Sequence, residues 1–463
     1  MGEEAARVLE LLINISILFS LLLGALFLGY VVTILIPFTR YRARDTGDPS
    51  AFDWHFVVPC RDEEIVIGQT IAYLRTNFPE AQVWVVDDDS DDATAHIATK
   101  QSTADSKVHL IQRRLPDART GKAHALNHAW GVLREHFTEN KQDFDRTVIA
   151  VIDADGRPSH NMLQVCAGKD LFSDPEVAAV QVEVRMSNRD VRDPYPGDDW
   201  FKNLLGRTFV RMQDIEFRGP ISAIQMSRRY SRTVNVGGNG QLARASALDS
   251  IDSGEGPWRG SLLEDFELGL HLLLAGWRNA YTPDAWVDQE ALYSLPRYLT
   301  QRARWAQGTM QCFRYLPQIW TNRRISNLGA LEISYFLLQP WLQILGTVFY
   351  PIPVVLFAYN SLASPETVQE YLVNGGAILF IMYAVIGVGE FAVWGLLYRS
   401  KCEPQATELT AIGWGMSFLV YIYLVYAVVW KAFSQLITRQ RGWAKTIRNA
   451  EQVTDDTLIA RLQ

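Results

Sequence analysis

The stretch VIAVIDADG (residues 148–156) decides the fold: an uncharged, mostly β-branched run ends in two carboxylates, Asp153 and Asp155, followed by Gly156. A short apolar run closed by a turn signal reads as a strand buried on both faces, here Val148–Asp153. Working outward, His55–Pro59, Gln82–Asp87, Val108–Gln112 and Val177–Val182 have the same character. The segments between them are long enough for crossover helices, so the expectation is an α/β domain on a mostly parallel sheet with helices on both faces. Ligands of such sheets bind beyond the carboxyl ends of the strands. Acidic clusters stand at three of those ends: Arg61-Asp62-Glu63-Glu64, Asp87-Asp88-Asp89 and Asp153-Ala154-Asp155. Acidic strand ends on one edge imply a site that holds a cation or hydrogen-bonds a polar ligand.

Asp153 and Asp155 share a face if the backbone stays extended, and a turn at Gly156 would also bring them to one point. Two carboxylates suit Mg²⁺ or Mn²⁺, hard cations that complete their shells with water and substrate phosphates. A solvated Asp-Ala-Asp-Gly turn is the plainer alternative. In VVDDDSDDAT (85–94) the plainer alternative is helix capping, although three adjacent carboxylates exceed what a cap needs. Lys122, after Gly121, is a candidate phosphate contact or an ordinary surface lysine. LLEDFELG (262–269) puts Glu264 and Asp265 at the start of an amphipathic helix, where the dipole alone favours them; chemically, one of them is a candidate general base. QRARW (301–305) offers Arg304 to a phosphate and Trp305 to a sugar ring. An interfacial helix with Arg and Trp at headgroup depth has the same composition.

The outer parts of the 463-residue chain are apolar. Leu11–Pro37 is long enough to cross a bilayer, and Arg40, Arg42 and Arg44 after it place its C-terminal side in the cytoplasm. Leu328–Tyr359, Tyr371–Tyr398 and Leu409–Ile437 read as further spans, with Asn360–Glu370 outside and Arg399 and Lys401 inside. Three such crossings leave the tail outside, yet Arg439, Arg441, Lys445 and Arg448 make it basic. Pro340, Pro351 and Pro353 allow part of the first stretch to re-enter or lie in the interface. The expected organisation is therefore an anchor (1–45), a cytoplasmic domain with interfacial helices (46–316), a membrane region (317–437) and a basic cytoplasmic tail (438–463). A net charge of −7 argues against a nucleic-acid partner. The four cysteines lack metal-ligand spacing and fit a reduced compartment.

In order stand VVDDDSDDAT, GKAHALN, DAD, GGNGQLAR, LLEDFELG and QRARW, flanked by spans. Over about residues 52–316 this resembles the inverting family 2 glycosyltransferases, and among them the membrane-bound branch with cellulose, chitin and hyaluronan synthases. GGNGQ with RWAQG also resembles bacterial glucosyl-diacylglycerol synthases. The resemblance implies a GT-A-like domain inserted between transmembrane helices in a bacterial cell membrane. It implies a nucleotide-sugar donor, by family habit a UDP-sugar, and Mg²⁺ or Mn²⁺ at Asp153 and Asp155. Donor contacts would come from Asp88, Glu63, Lys122, Asp153 and Asp155. Asp265, beside Glu264, matches the base of a Thr-Glu-Asp motif whose Thr is Leu263 here. Arg304 would meet the diphosphate, with Gln301, Trp305, Asn239 and Gly240 on the acceptor. WAKTIR (443–448) resembles a gating segment, bringing Lys445, Thr446 and Arg448 to the nucleotide; a generic basic juxtamembrane tail is the alternative.

The implied reaction is a single in-line displacement giving a β-linkage to a growing polysaccharide that leaves through the membrane spans. The alternative is a glycolipid synthase adding one or a few sugars to a diacylglycerol-type or other lipid. A polymer path would be walled by Tyr335, Gln339, Trp341, Gln343, Tyr383, Trp394, Trp414 and Tyr421; these side chains equally suit helix packing and interfacial belts.

Overall fold

The computed structural model describes residues 3–352 and 377–439, together with single positions 355, 358, 369, 372 and 373. Lys445, Thr446 and Arg448, the rest of the proposed gating segment and the loop Asn360–Glu370 apart from Gln369 lie outside the described residues, as does the side chain of Tyr383.

The strands are β1 (Asp53–Cys60), β2 (Gln82–Asp88), β3 (Val108–Arg113), β4 (Thr147–Val151), β5 (Arg157–Pro158), β6 (Val177–Met186), β7 (Gln241–Arg244) and β8 (Arg278–Gln289). They form one sheet in the order β3-β2-β1-β4-β7-β6-β8-β5. Parallel pairing runs through β3-β2-β1-β4 and again between β6 and β8. β7 is antiparallel to β4 and β6, and β5 to β8, so the sheet is mixed while six strands keep one direction. Alternation along the strands explains the two covered faces. Phe56, Val58, Val83, Val85, Val148 and Ala150 face Ile67, Ile71 and Leu74 of the helix Ile67–Asn77. Val57, Trp84, Val86, Ile149 and Val151 face Leu126, Trp130 and Leu133 of the helix Lys122–Glu139.

β7 and β8 were not expected from the sequence. β7 is only Gln-Leu-Ala-Arg, and β8 carries Pro283 and Asp284 in its interior. The register shows how the proline is tolerated: Val182 pairs with Thr282 and Glu183 with Trp286, so residues 283–285 bulge out of the ladder.

By length and composition, three described helices can cross a membrane: Ile17–Thr39 (mean hydropathy 2.4), Phe380–Cys402 (1.9) and Glu408–Ile437 (1.9). The helix Asn327–Phe349, carrying Glu332, Gln339, Pro340 and Gln343, is not among them. It runs antiparallel to the N-terminal helix Glu3–Thr39, with Tyr30 beside Tyr335 and Phe19 beside Phe349. The helix Glu390–Cys402 runs back alongside, with Phe27 beside Phe391 and Phe38 beside Trp394. The helix Leu424–Ile437 returns to the sheet domain: Lys431 Nζ donates to Thr300 Oγ1 at 2.9 Å, and Ala432 packs with Ala303 and Met310.

Candidate active site

The strand-end loops are built by mutual capping. After β1, the backbone N–H groups of Asp62, Glu63 and Glu64 donate to Ser90 Oγ, Thr94 Oγ1 and Asp92 Oδ2 of the loop after β2. In return, Asp62 Oδ1 accepts from Asp91 N–H and Glu64 Oε2 from Ala93 N–H. Part of both acidic clusters is therefore structural, holding two strand ends together and placing Glu63 and Asp88 at the cavity.

The repulsion expected within Asp87-Asp88-Asp89 is neutralised from β3 and the loop after it. Asp88 and Arg113 are ladder partners, and Arg113 Nη1 pairs with Asp88 Oδ1, both side chains buried. Arg114 reaches Asp87 at 3.3 Å, and Arg119 Nε reaches Asp89 Oδ2 at 3.1 Å. These arginines were not singled out from the sequence; their signal is the basic pair Arg113-Arg114 entering the loop before Lys122.

β4 stops at Val151, shorter than expected, and Gly156 N–H donates to Asp153 C=O to close the turn. Asp153 Oδ1 accepts from Lys122 Nζ at 2.7 Å, and Asp155 Oδ2 accepts from Glu290 N–H at 3.1 Å. Asn239 is on the cavity wall, but its side chain is engaged: Oδ1 accepts from Asp153 N–H and Nδ2 donates to Gln289 Oε1. It thus anchors the backbone of the carboxylate loop. Gly240 lies outside the cavity lining. It continues the sheet by donating to Val151 C=O, at a positive φ of 72° that glycine adopts without strain. Gly240 was expected to contact the acceptor; the contact the structure gives it is this backbone one.

Asp265 and Glu264 open the helix Glu264–Ala275. A β-carbon at Gly238 would stand 3.2 Å from both Asp265 Oδ2 and Lys122 Nζ, so the glycine loop runs between the two. Burial and the neighbouring Glu264 charge push the Asp265 carboxyl up to about 7, against a Phe266 N–H bond and Lys122. Burial works to lower the Lys122 ammonium, yet Asp153, Glu264 and Asp265 hold it above its ordinary value. Glu267, two residues on, is a lock: it accepts from Arg314 and Tyr315 at 2.6 Å and from Ser261 N–H at 2.9 Å.

QRARW lies in the helix Leu295–Cys312. Gln301, Arg304 and Trp305, spaced i, i+3 and i+4, line the cavity together. Arg302 turns away, pairing with Glu216 at 2.7 Å and standing 4.3 Å from the Trp305 ring centroid. Among the described residues Arg304 has no ion pair, and its Nε is buried without a hydrogen-bond partner.

One cavity of about 550 Å³ is lined by Glu63, Asp88, Lys122, Asp153, Asp155, Asn239, Glu264, Asp265, Gln301, Arg304 and Trp305. Residues far apart in sequence meet there, and the same lining includes the apolar side chains Phe217, Ile221, Ile224 and Phe336. Among the described residues of the expected polymer wall, Gln339 alone lines this cavity. Trp341 packs on Phe313 and Phe433, and Trp414 on Tyr398, as helix-packing contacts.

Strand order, helices on both faces and a cavity at the carboxyl ends define a GT-A-like sugar-transferring domain. The family model described as glycosyltransferase like family 2 matches residues 53–308, and the chain belongs to that family. It is similar to a β-monoglucosyldiacylglycerol synthase of a Synechocystis strain, 25% identical over 437 residues, covering 89% of this chain and 78% of the relative. It is also 23% identical over 394 residues to a poly-β-1,6-N-acetyl-D-glucosamine synthase of Staphylococcus epidermidis, covering 84% of each. Among solved structures, a mannosyltransferase from Pyrobaculum calidifontis in complex with GDP-Man and Mn²⁺ superposes with a TM-score of 0.58 at 15% identity, covering 93% of this chain and 99% of that one. At that identity the likeness is one of fold.

Proposed function

We propose that this family 2 glycosyltransferase moves one hexose, with inversion, from a nucleotide sugar to a lipid acceptor. The observation that carries this reading is the cavity's mixed lining: acidic and cationic groups from the strand ends, and Phe217, Ile221, Ile224 and Phe336 from helices packed among the apolar segments. A sugar polymer needs hydroxyl partners along its path, whereas an acyl-bearing acceptor suits Ile221, Ile224 and Phe336. The relatives named for diacylglycerol glucosylation support the same reading.

Asp153 and Asp155 fit a divalent cation, because both line the same cavity and one or two carboxylates completed by substrate phosphates are the donor set Mg²⁺ takes. A bound Mn²⁺ or Mg²⁺ supplies charge neutralisation for the departing diphosphate. Lys122, now on Asp153, and Arg304, without an ion pair among the described residues, are cations for the same oxygens. Asp88 is buried with Arg113, so its remaining acceptor capacity is oriented for a nucleobase. Asp265 takes the proton of the acceptor hydroxyl, which attacks the anomeric carbon from the face opposite the diphosphate and inverts it. Fixed charges placed before the reaction supply much of the stabilisation.

We further infer that the C-terminal end of the helix Leu424–Ile437 lies on the same side of the membrane as the sheet domain. The contact between Lys431 and Thr300 supports this; the basic tail beyond residue 439 lies outside the described residues.

A second reading, polymer synthesis, has one observation in its favour. A smaller cavity of about 180 Å³ shares Gln339 with the main one and continues to Gln343 and Tyr421 between the C-terminal helices.

Chelation tests the catalytic core of both readings. EDTA should abolish transfer, with Mn²⁺ or Mg²⁺ restoring it, and Asp155→Asn should resist restoration. Full transfer in excess chelator would overturn the metal assignment.

A further inference from the structure

Beside Phe336 the cavity is lined by a charged side chain that the transfer chemistry does not use. Arg228, in the helix Ser222–Ser231, is only 3% exposed and lines the cavity. Its Nε donates to Glu332 Oε1 at 2.8 Å, and its guanidinium lies 4.7 Å from the Phe336 ring centroid. Tyr30 OH donates to the same Glu332 oxygen at 3.2 Å. Among the described residues, Nη1 and Nη2 of Arg228 have no hydrogen-bond partner, and they are not among the sealed buried atoms, so they open onto the cavity. Burying a guanidinium with idle N–H groups is costly unless something accepts from them.

We propose that the Arg228–Glu332 pair is the recognition site for the acceptor lipid and that it takes neutral, oxygen-rich glycerolipid rather than anionic lipid. This deepens the glycolipid reading and rests on it. Paired with Glu332, Arg228 brings no net charge to the lobe; it offers a planar pair of donors to ester carbonyl or hydroxyl oxygens. A phosphate placed against those donors would meet the Glu332 carboxylate at close range in a poorly screened setting, where like charges are expensive. Ile224 and Phe336 flank the donors and would accept the first methylenes of the acyl chains. The site lies where three elements converge: Tyr30 on the N-terminal helix, Arg228 on the sheet domain, and Glu332 on Asn327–Phe349. A lipid held there has its glycerol at the domain–membrane junction and its free hydroxyl toward Asp265.

The test is photolabelling of the purified full chain in detergent micelles with diacylglycerol carrying a photoactivatable acyl chain, alongside phosphatidic acid carrying the same chain. Wild type should label with diacylglycerol in preference to phosphatidic acid. Arg228→Gln should lower diacylglycerol labelling by roughly tenfold or more, the worth of hydrogen bonds from a charged donor. Glu332→Gln, which leaves Arg228 as a net positive charge, should raise phosphatidic acid labelling and reverse or erase the preference. Because a buried half-pair can unfold the domain, the double variant R228M/E332L replaces both partners with apolar groups of similar size, a change proteins often tolerate. It too should lose labelling while binding UDP or GDP with Mn²⁺ as wild type does. Equal labelling of both lipids by wild type, or undiminished labelling of a variant that still binds nucleotide, overturns the site. Labelling that depends on Arg228 without sugar transfer to diacylglycerol would instead overturn the glycolipid reading and leave the site standing.

Discussion

Asp265 stands at a helix start whose dipole favours its charge, yet burial and Glu264 keep it protonated to about 7. A base works only when deprotonated. Turnover at saturating donor should therefore rise as pH climbs through about 7 and level off above it. Asp265→Asn should bind donor normally, lose roughly 10²- to 10⁴-fold in turnover and flatten that profile; near-normal turnover would move the base elsewhere. At this scale the sequence was informative where chemistry sits in contiguous motifs. Asp153, Asp155, Lys122, Asp265, Gln301, Arg304 and Trp305 were each nameable from local spacing, and one cavity gathers them. The sequence was silent where partnership depends on register or on helix crossing. Arg113 meets Asp88 because β2 and β3 pair at that position, and Arg228 meets Glu332 across 104 residues. Asn239 and Gly240 were legible as a glycine-rich loop, but only the placed backbone shows one anchoring Asp153 and the other extending the sheet.

Among the elements, the four parallel strands were readable because their β-branched runs are buried on both faces. β7 and β8 were not, because a four-residue strand has no period and a bulged one hides its proline. The acid sensitivity of the sheet follows from the edge opposite the site. His55 is buried and accepts from Trp84 Nε1 at 3.1 Å, with His136 near its ring and His109 beside His136. Burial, then His136 and His109, depress it from 6.5 to about 3. The unfolded chain thus binds the proton more readily than the native one across that interval. Stability should fall as pH drops from about 6.5 toward about 3. Thermal unfolding midpoints across that range should show a steeper loss in wild type than in His55→Phe; parallel curves would assign the sensitivity to other groups. In the membrane region, the helices Glu390–Cys402 and Glu408–Ile422 cross at small residues. Side chains added at Gly395 or Gly415 would strike the partner backbone at Ala411 or Ala392. Gly415→Leu should force the helices apart and lower the thermal midpoint of the detergent-solubilised protein. The same change at Gly413, which has open space, should leave the midpoint near that of wild type; equal effects at the two sites would contradict close packing there.

As a whole, the molecule joins a nucleotide-sugar fold to apolar helices through one shared core. Ile34 and Phe38 of the N-terminal helix, Ile215 and Tyr281 of the sheet domain, and Trp394 and Phe418 of the C-terminal helices all belong to it. On the proposed reading, that continuity puts the acceptor site beside the apolar helices. The central claim is that the acceptor is a lipid, and the product's partition tests it most directly. Purified full-length protein in micelles with diacylglycerol and Mn²⁺ should be given radiolabelled UDP-glucose and, separately, GDP-mannose. The expected result is label in the organic phase as a lipid bearing one hexose, absent with Asp265→Asn. Label accumulating as a high-molecular-weight, water-soluble polymer, with none in the lipid, would contradict it.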